Sequence, residues 1–103
     1  MPVPRIAAVA TATPPHRFAQ AELLALAGYG DPRRRGFFER SDIDGRHLWI
    51  DPARFRPDES IDELQARFAE GALALGEQAA RRALARAGWT ATDLDFIGTT
   101  TCT

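Results

Sequence analysis

A chain of 103 residues, 45% hydrophobic and 26% charged, has room for one small domain and excludes a multidomain reading. A net charge of −1 excludes bulk electrostatic attachment to nucleic acid or a membrane surface, and no apolar run approaches the length a bilayer span needs. Cys102 is the single cysteine, which excludes an internal disulfide and fits a reducing, cytoplasmic setting; all 13 basic residues are arginine.

The N-terminal run Arg5–Ala10, RIAAVA, is bracketed by Pro4 and Pro14 and reads as a short buried strand rather than a helix. Its apolar run is too short and too proline-broken for a secretory leader. TATPPHRF follows as a breaker loop, because Pro14 and Pro15 cannot continue a helix or donate to a central ladder. QAELLALA, Gln20–Ala27, is made of helix formers and meets Gly28 as its stop. Asp31 then stands as an N-cap with Pro32 at the first helical position, predicting a short helix to about Arg40. RHLWI, Arg46–Ile50, alternates like a strand exposed on one face, and DPARFRPDE is a loop.

Ser60 and Glu63 have the spacing of a capping box and open the longest predicted helix, which runs to Gly88. Ile61, Leu64, Phe68, Ala72, Leu75, Ala79, Ala83 and Ala87 recur on one helical face. Glu63 with Arg67, and Glu77 with Arg81, are favourably oriented i,i+4 pairs. GALALG, between Gly71 and Gly76, is small or apolar all round, so close packing is expected to offset the weak helicity of its glycines. TATDLDFIGTTTCT predicts a turn and a second buried strand from about Asp95. The order strand, helix, helix, strand, helix, strand predicts an α/β layer with crossover connections and a parallel sheet. Such a layer needs neighbours on its faces and edges, so the chain is expected not to fold as a self-sufficient unit.

AVATATPPHRF, FFERSDIDGRHLWI and the long helix running into DLDFIGTTTCT, in this order and spacing, resemble the N-terminal part of a type III polyketide synthase. That is the chalcone and stilbene synthase family of the thiolase superfamily. The resemblance covers essentially the whole chain but only the first quarter to third of such a synthase. It implies that residues 1–103 are a truncated N-terminal segment of a thiolase-like αβαβα fold. It also implies an acyltransferase activity, decarboxylative Claisen condensation of an acyl-CoA starter with malonyl-CoA. CoA thioesters are then the substrates, no other cofactor is used, and the full-length enzyme is a homodimer with no nucleic-acid or membrane partner. The family's Cys-His-Asn set lies downstream, and no residue of this chain matches it, so no catalytic residue is assigned.

Cys102 invites a nucleophile reading, yet His16 and His47, the available histidines, lie in unrelated segments. By the resemblance, Cys102 and Thr103 instead line the wall of the starter-acyl pocket, where small side chains leave room for substrate. The alternative for Cys102 is an inert buried thiol. Arg33, Arg35 and Arg40 are the candidates for the CoA phosphates, since arginine forks match phosphate oxygens. Arg33 and Arg40 fall on the family's basic positions, and Gly36 stands where a further cation is expected, with Arg35 as its shifted substitute. The plainer alternative is a solvated charged face answering Asp31 and Glu39.

Arg46 and His47 read as a structural salt bridge and a half-buried imidazole, His16 as a loop residue, and Trp49 and Trp89 as packing anchors. Asp42 and Asp44 lack further ligands at useful spacing, which argues against a metal site, and Gly28-Tyr29-Gly30 lacks the context of a nucleotide loop. Two other functions compete. A ketoacyl-ACP synthase III-like enzyme shares the implied fold and cysteine chemistry but uses a carrier protein, and the SDIDGRHLWI stretch favours the polyketide branch. The other is a fragment or docking piece without catalysis of its own.

Overall fold

The computed structural model describes residues 2–101, so Cys102 and Thr103 lie outside the described residues. The elements in order are β1 (His16–Ala19), α1 (Gln20–Ala27), α2 (Pro32–Glu39), β2 (Gly45–Leu48), α3 (Ile61–Ala87) and a 3-10 turn at Ala91–Asp93. No helix among them is long and apolar enough to cross a membrane. The chain divides into two units, Thr13–Leu75 and Met1–Ala12 with Gly76–Thr103.

In the Thr13–Leu75 unit, local signals set the helices. Gln20–Ala27 ends where Gly28 takes the left-handed conformation at φ 68° and returns its N–H to the Leu24 carbonyl. Asp31 accepts from the Arg33 N–H at 3.0 Å, and Pro32 occupies the first turn, where its missing N–H costs nothing. At the start of α3 the Ser60 N–H donates to Glu63 at 2.6 Å and the Glu63 N–H to the Ser60 hydroxyl at 3.2 Å, a reciprocal capping box. The Ser60 backbone N–H first, and then the Ser60 hydroxyl, hold the Glu63 carboxyl below its ordinary pKa, with Arg56 adding a smaller attraction.

β1 and β2 pair antiparallel, with Phe18 opposite Arg46 and His16 opposite Leu48. Two expectations change here. His16–Ala19 is a strand, although the prolines before it suggested loop; Pro15 immediately precedes the ladder and so removes no bond from it. The sheet is also antiparallel and two-stranded, and the described residues contain no parallel crossover. The chain is a mixed helix and strand structure. Phe18 and Leu23 are its buried hydrophobic residues among those described, and both sit in this unit.

Gly71 in α3 is buried because the Trp49 indole lies on it: a Cβ there would stand 2.8 Å from Trp49 Cγ. The expected close packing thus exists at Gly71, whereas nothing lies within 4 Å of a Cβ built on Gly76. Arg67 does not pair with Glu63, which is committed to the cap and to Arg56 at 3.7 Å. It forms a two-bond fork with Glu59 and lies over the Phe55 ring. Ile61, Leu64, Phe68 and Ala72, predicted to face a core, are exposed.

In the other unit, the C-terminal half of the predicted α3 face holds: Ala79, Ala83 and Ala87 are half-buried. Gly88, at φ 72°, and the bond from the Trp89 N–H to the Leu84 carbonyl close the helix in a Schellman arrangement. Glu77 and Arg81 pair at 2.9 Å as expected. The two strands expected at Arg5–Ala10 and from Asp95 are absent from the described residues. Ala8, Ala10 and Ala12 are half-buried while Val9 and Thr11 are exposed, the period of an extended chain, but no ladder partner accompanies them. Arg82 and Arg86 instead donate to the Thr11 and Val9 carbonyls at 2.8 and 2.6 Å. Ile6, Val9, Phe96 and Ile97 stay exposed because a lone extended segment has nothing to bury them against.

A candidate anion-binding face on helix α2

An α-helix advances about 100° per residue, so residues seven apart share a face and lie about 10 Å apart along the axis. Arg33 and Arg40 have this relation on α2, with Arg40 at its C-cap. Between them Gly36 carries no side chain, and the Arg40 guanidinium lies across it, 2.9 Å from where a Cβ would stand. The Arg40 guanidinium thus fills the space beside Gly36 that a side chain there would need. Among the described residues no carboxylate lies within 4.0 Å of the Arg33 or Arg40 guanidinium.

Arg35 stands about 200° around the helix from Arg33 and faces Glu39 at 3.9 Å, both side chains more than half exposed. It lines a different hollow, of about 490 Å³, with Gln20, Leu24 and Tyr29. Arg34 lies over the Tyr29 ring at 5.6 Å, and that ring packs on Phe38. The arginine run is thus split three ways: Arg33 and Arg40 on one open face, Arg34 on an aromatic ring, Arg35 against a carboxylate.

The end of α2 is tied down by a residue that the sequence did not single out. Gln20, first residue of α1, donates from Nε2 to the Phe38 carbonyl at 2.9 Å and to the Ser41 hydroxyl at 3.0 Å. Ser41 donates in turn to the Phe38 carbonyl at 2.8 Å, and the Gln20 N–H to the Asp44 carbonyl at 3.2 Å. Arg46 Nε donates to Gln20 Oε1 at 3.4 Å. Arg46 is exposed and joins an amide rather than the expected carboxylate, while exposed His47 places Nδ1 3.0 Å from the Pro14 carbonyl. No local signal marks Gln20, since its partners lie 18 to 26 positions away.

Chemically, the open arginine pair can bind an anion with two phosphate groups. The Ser41 and Ser60 hydroxyls are committed to backbone groups at a helix end and a helix start, and neither touches a histidine. A cleft of about 500 Å³ between Trp49, Phe55, Glu59 and Arg67 carries the half-buried ion pair but no nucleophile. The expected acyl-pocket residues Cys102 and Thr103 fall outside the described residues.

No protein-family model and no solved structure matches the chain. It is similar to the 1,3,6,8-tetrahydroxynaphthalene synthase of Streptomyces peucetius subsp. caesius, with 32% identity across 105 aligned positions. The alignment takes in 95% of this chain, and the chain spans 28% of the length of that curated relative. The similarity is therefore to a part of that synthase.

Proposed function

We propose that this chain serves as the N-terminal segment, residues 1–103, of a thiolase-like domain in a type III polyketide synthase. In that role α2 receives the phosphates of CoA thioesters. The observation that carries the proposal is the similarity over 95% of the chain, an extent that includes α2. The open Arg33 and Arg40 pair adds a physical reason, because CoA brings a diphosphate and a 3′-phosphate to which guanidinium forks are matched. Arg35, held by Glu39, has a lesser part in phosphate contact.

The activity proposed for the whole enzyme is transfer of a starter acyl group from CoA to a cysteine thiolate. Malonyl-CoA then loses CO2, and its carbanion attacks the acyl carbonyl, forming the new C–C bond as the C–S bond breaks and the cysteine thiolate leaves. This chain supplies none of the Cys-His-Asn set. Its contribution is to hold the CoA end and, through Cys102 and Thr103, to line the acyl pocket with small side chains. No cofactor besides the CoA thioesters is involved, and the working form is a cytoplasmic homodimer.

The test is a hybrid in which these residues replace the aligned stretch of the tetrahydroxynaphthalene synthase. Changing Arg33 and Arg40 together to alanine raises KM for malonyl-CoA about tenfold or more, the scale of charge-assisted bonds lost, and leaves N-acetylcysteamine thioesters within about twofold. Equal losses for both thioesters would assign the two arginines to folding and overturn the CoA role.

A further inference from the structure

We infer that Gln20 is a positioning residue for the Arg33–Arg40 face, fixing the last turn of α2 so that the Arg40 guanidinium stands at a set distance from that of Arg33 for a two-phosphate ligand. The inference rests on the phosphate-binding role proposed for α2 and extends it to a residue on a different helix.

Helix α2 has eight residues, just over two turns, so its own hydrogen bonds hold its last turn weakly. Its C-terminal carbonyls need outside partners, and Gln20 supplies one by donating to Phe38. The same amide nitrogen binds the Ser41 hydroxyl, which also closes on Phe38, so the three groups form a small ring around the last turn. Arg40 lies between Phe38 and Ser41, inside the segment the ring immobilises. On its far side Gln20 is anchored twice, by its N–H to Asp44 and by Oε1 to Arg46. One part-buried residue therefore joins the start of α1 to the end of α2 through its side chain, and to β2 and its approach through Oε1 and its backbone N–H. A monophosphate needs only one arginine, whereas two phosphates need both at a set separation, and that separation depends on how the C-cap, where Arg40 stands, is held against the turns that carry Arg33.

The experiment measures binding of adenosine 3′,5′-bisphosphate and of 5′-AMP by calorimetry to the hybrid synthase described above, with the unsubstituted hybrid as wild type and far-UV circular dichroism on each variant. The wild type prefers the bisphosphate, and Arg33→Ala and Arg40→Ala each lower that preference. Gln20→Ala lowers it by roughly three- to tenfold, the scale of one or two lost hydrogen bonds. Gln20→Glu retains an acceptor for Arg46 but removes the donor to Phe38, and it lowers the preference similarly. Arg54→Ala, a charge change in a different loop, leaves the preference unaltered. A lesion that merely loosens the fold weakens both ligands alike and preserves their ratio. A ratio unchanged in both Gln20 variants, with the arginine variants still lowering it, would overturn the positioning role alone. Absence of any preference in the wild type, or its survival in both arginine variants, would overturn the phosphate face itself.

Discussion

Replacing Gly71 by alanine sets two opposing effects against each other, and the geometry decides which wins. In a helix interior alanine is favoured over glycine by about 1 kcal/mol. At Gly71, however, the new methyl would stand 2.8 Å from Trp49 Cγ and 3.1 Å from both Cδ1 and Cδ2. Those are atoms of a rigid ring, so the whole indole must move, and overpacking of this kind costs about 1–3 kcal/mol. The net expectation is a loss of about 1 kcal/mol. Gly76, five residues along the same helix, meets nothing within 4 Å and should show the propensity gain alone, about 1 kcal/mol. Thermal melts at 222 nm should place Gly71→Ala and Gly76→Ala on opposite sides of the wild type, roughly 10 °C apart. Tryptophan emission should shift only for Gly71→Ala. Equal stabilisation by both variants would refute the claim that Trp49 is why position 71 is glycine.

The depressed pKa of Glu63 means its ionised form is favoured in the fold, so its contribution is present above the unfolded carboxylate range and is lost as pH falls through the lower folded value. The protection factor of the Ser60 amide, its exchange rate relative to an unstructured amide at the same pH, should fall on acidification in the wild type, and Glu63→Gln should flatten that pH dependence. In the Glu59–Arg67 pair the side chains are 14% and 27% exposed, so Glu59→Ala leaves a poorly solvated guanidinium and should cost about 2 kcal/mol in urea denaturation. Adding Arg67→Met should recover part of that loss; a fully additive double variant would show that the two side chains do not depend on each other.

Features set by neighbours in sequence were the legible ones. Asp31 followed by Pro32, Ser60 with Glu63, and the glycines at 28 and 88 each act within four residues, and the helices begin and end where they indicate. Strands depend on a partner that local sequence does not name. RIAAVA and DLDFIG have strand-like apolarity, yet neither has a paired neighbour among the described residues. HRFA was hidden behind two prolines and pairs only because β2 lies opposite it. At the candidate site Arg33 and Arg40 were singled out only by the family resemblance, and their shared face follows from the helix that carries them. The Arg35–Glu39 pair, four residues apart, was open to the sequence as the charged-face alternative, whereas the reach of Gln20 into α2 required coordinates because its partners lie far along the chain.

The grip of Arg82 and Arg86 on the carbonyls of Thr11 and Val9 is indifferent to side-chain identity, because every residue offers the same oxygen. Evolution can therefore rewrite the outward-pointing positions of that N-terminal arm without loosening its attachment. The two guanidiniums recognise the path of the chain rather than its spelling, which leaves Val9 and Thr11 free to be adapted to whatever surface they meet.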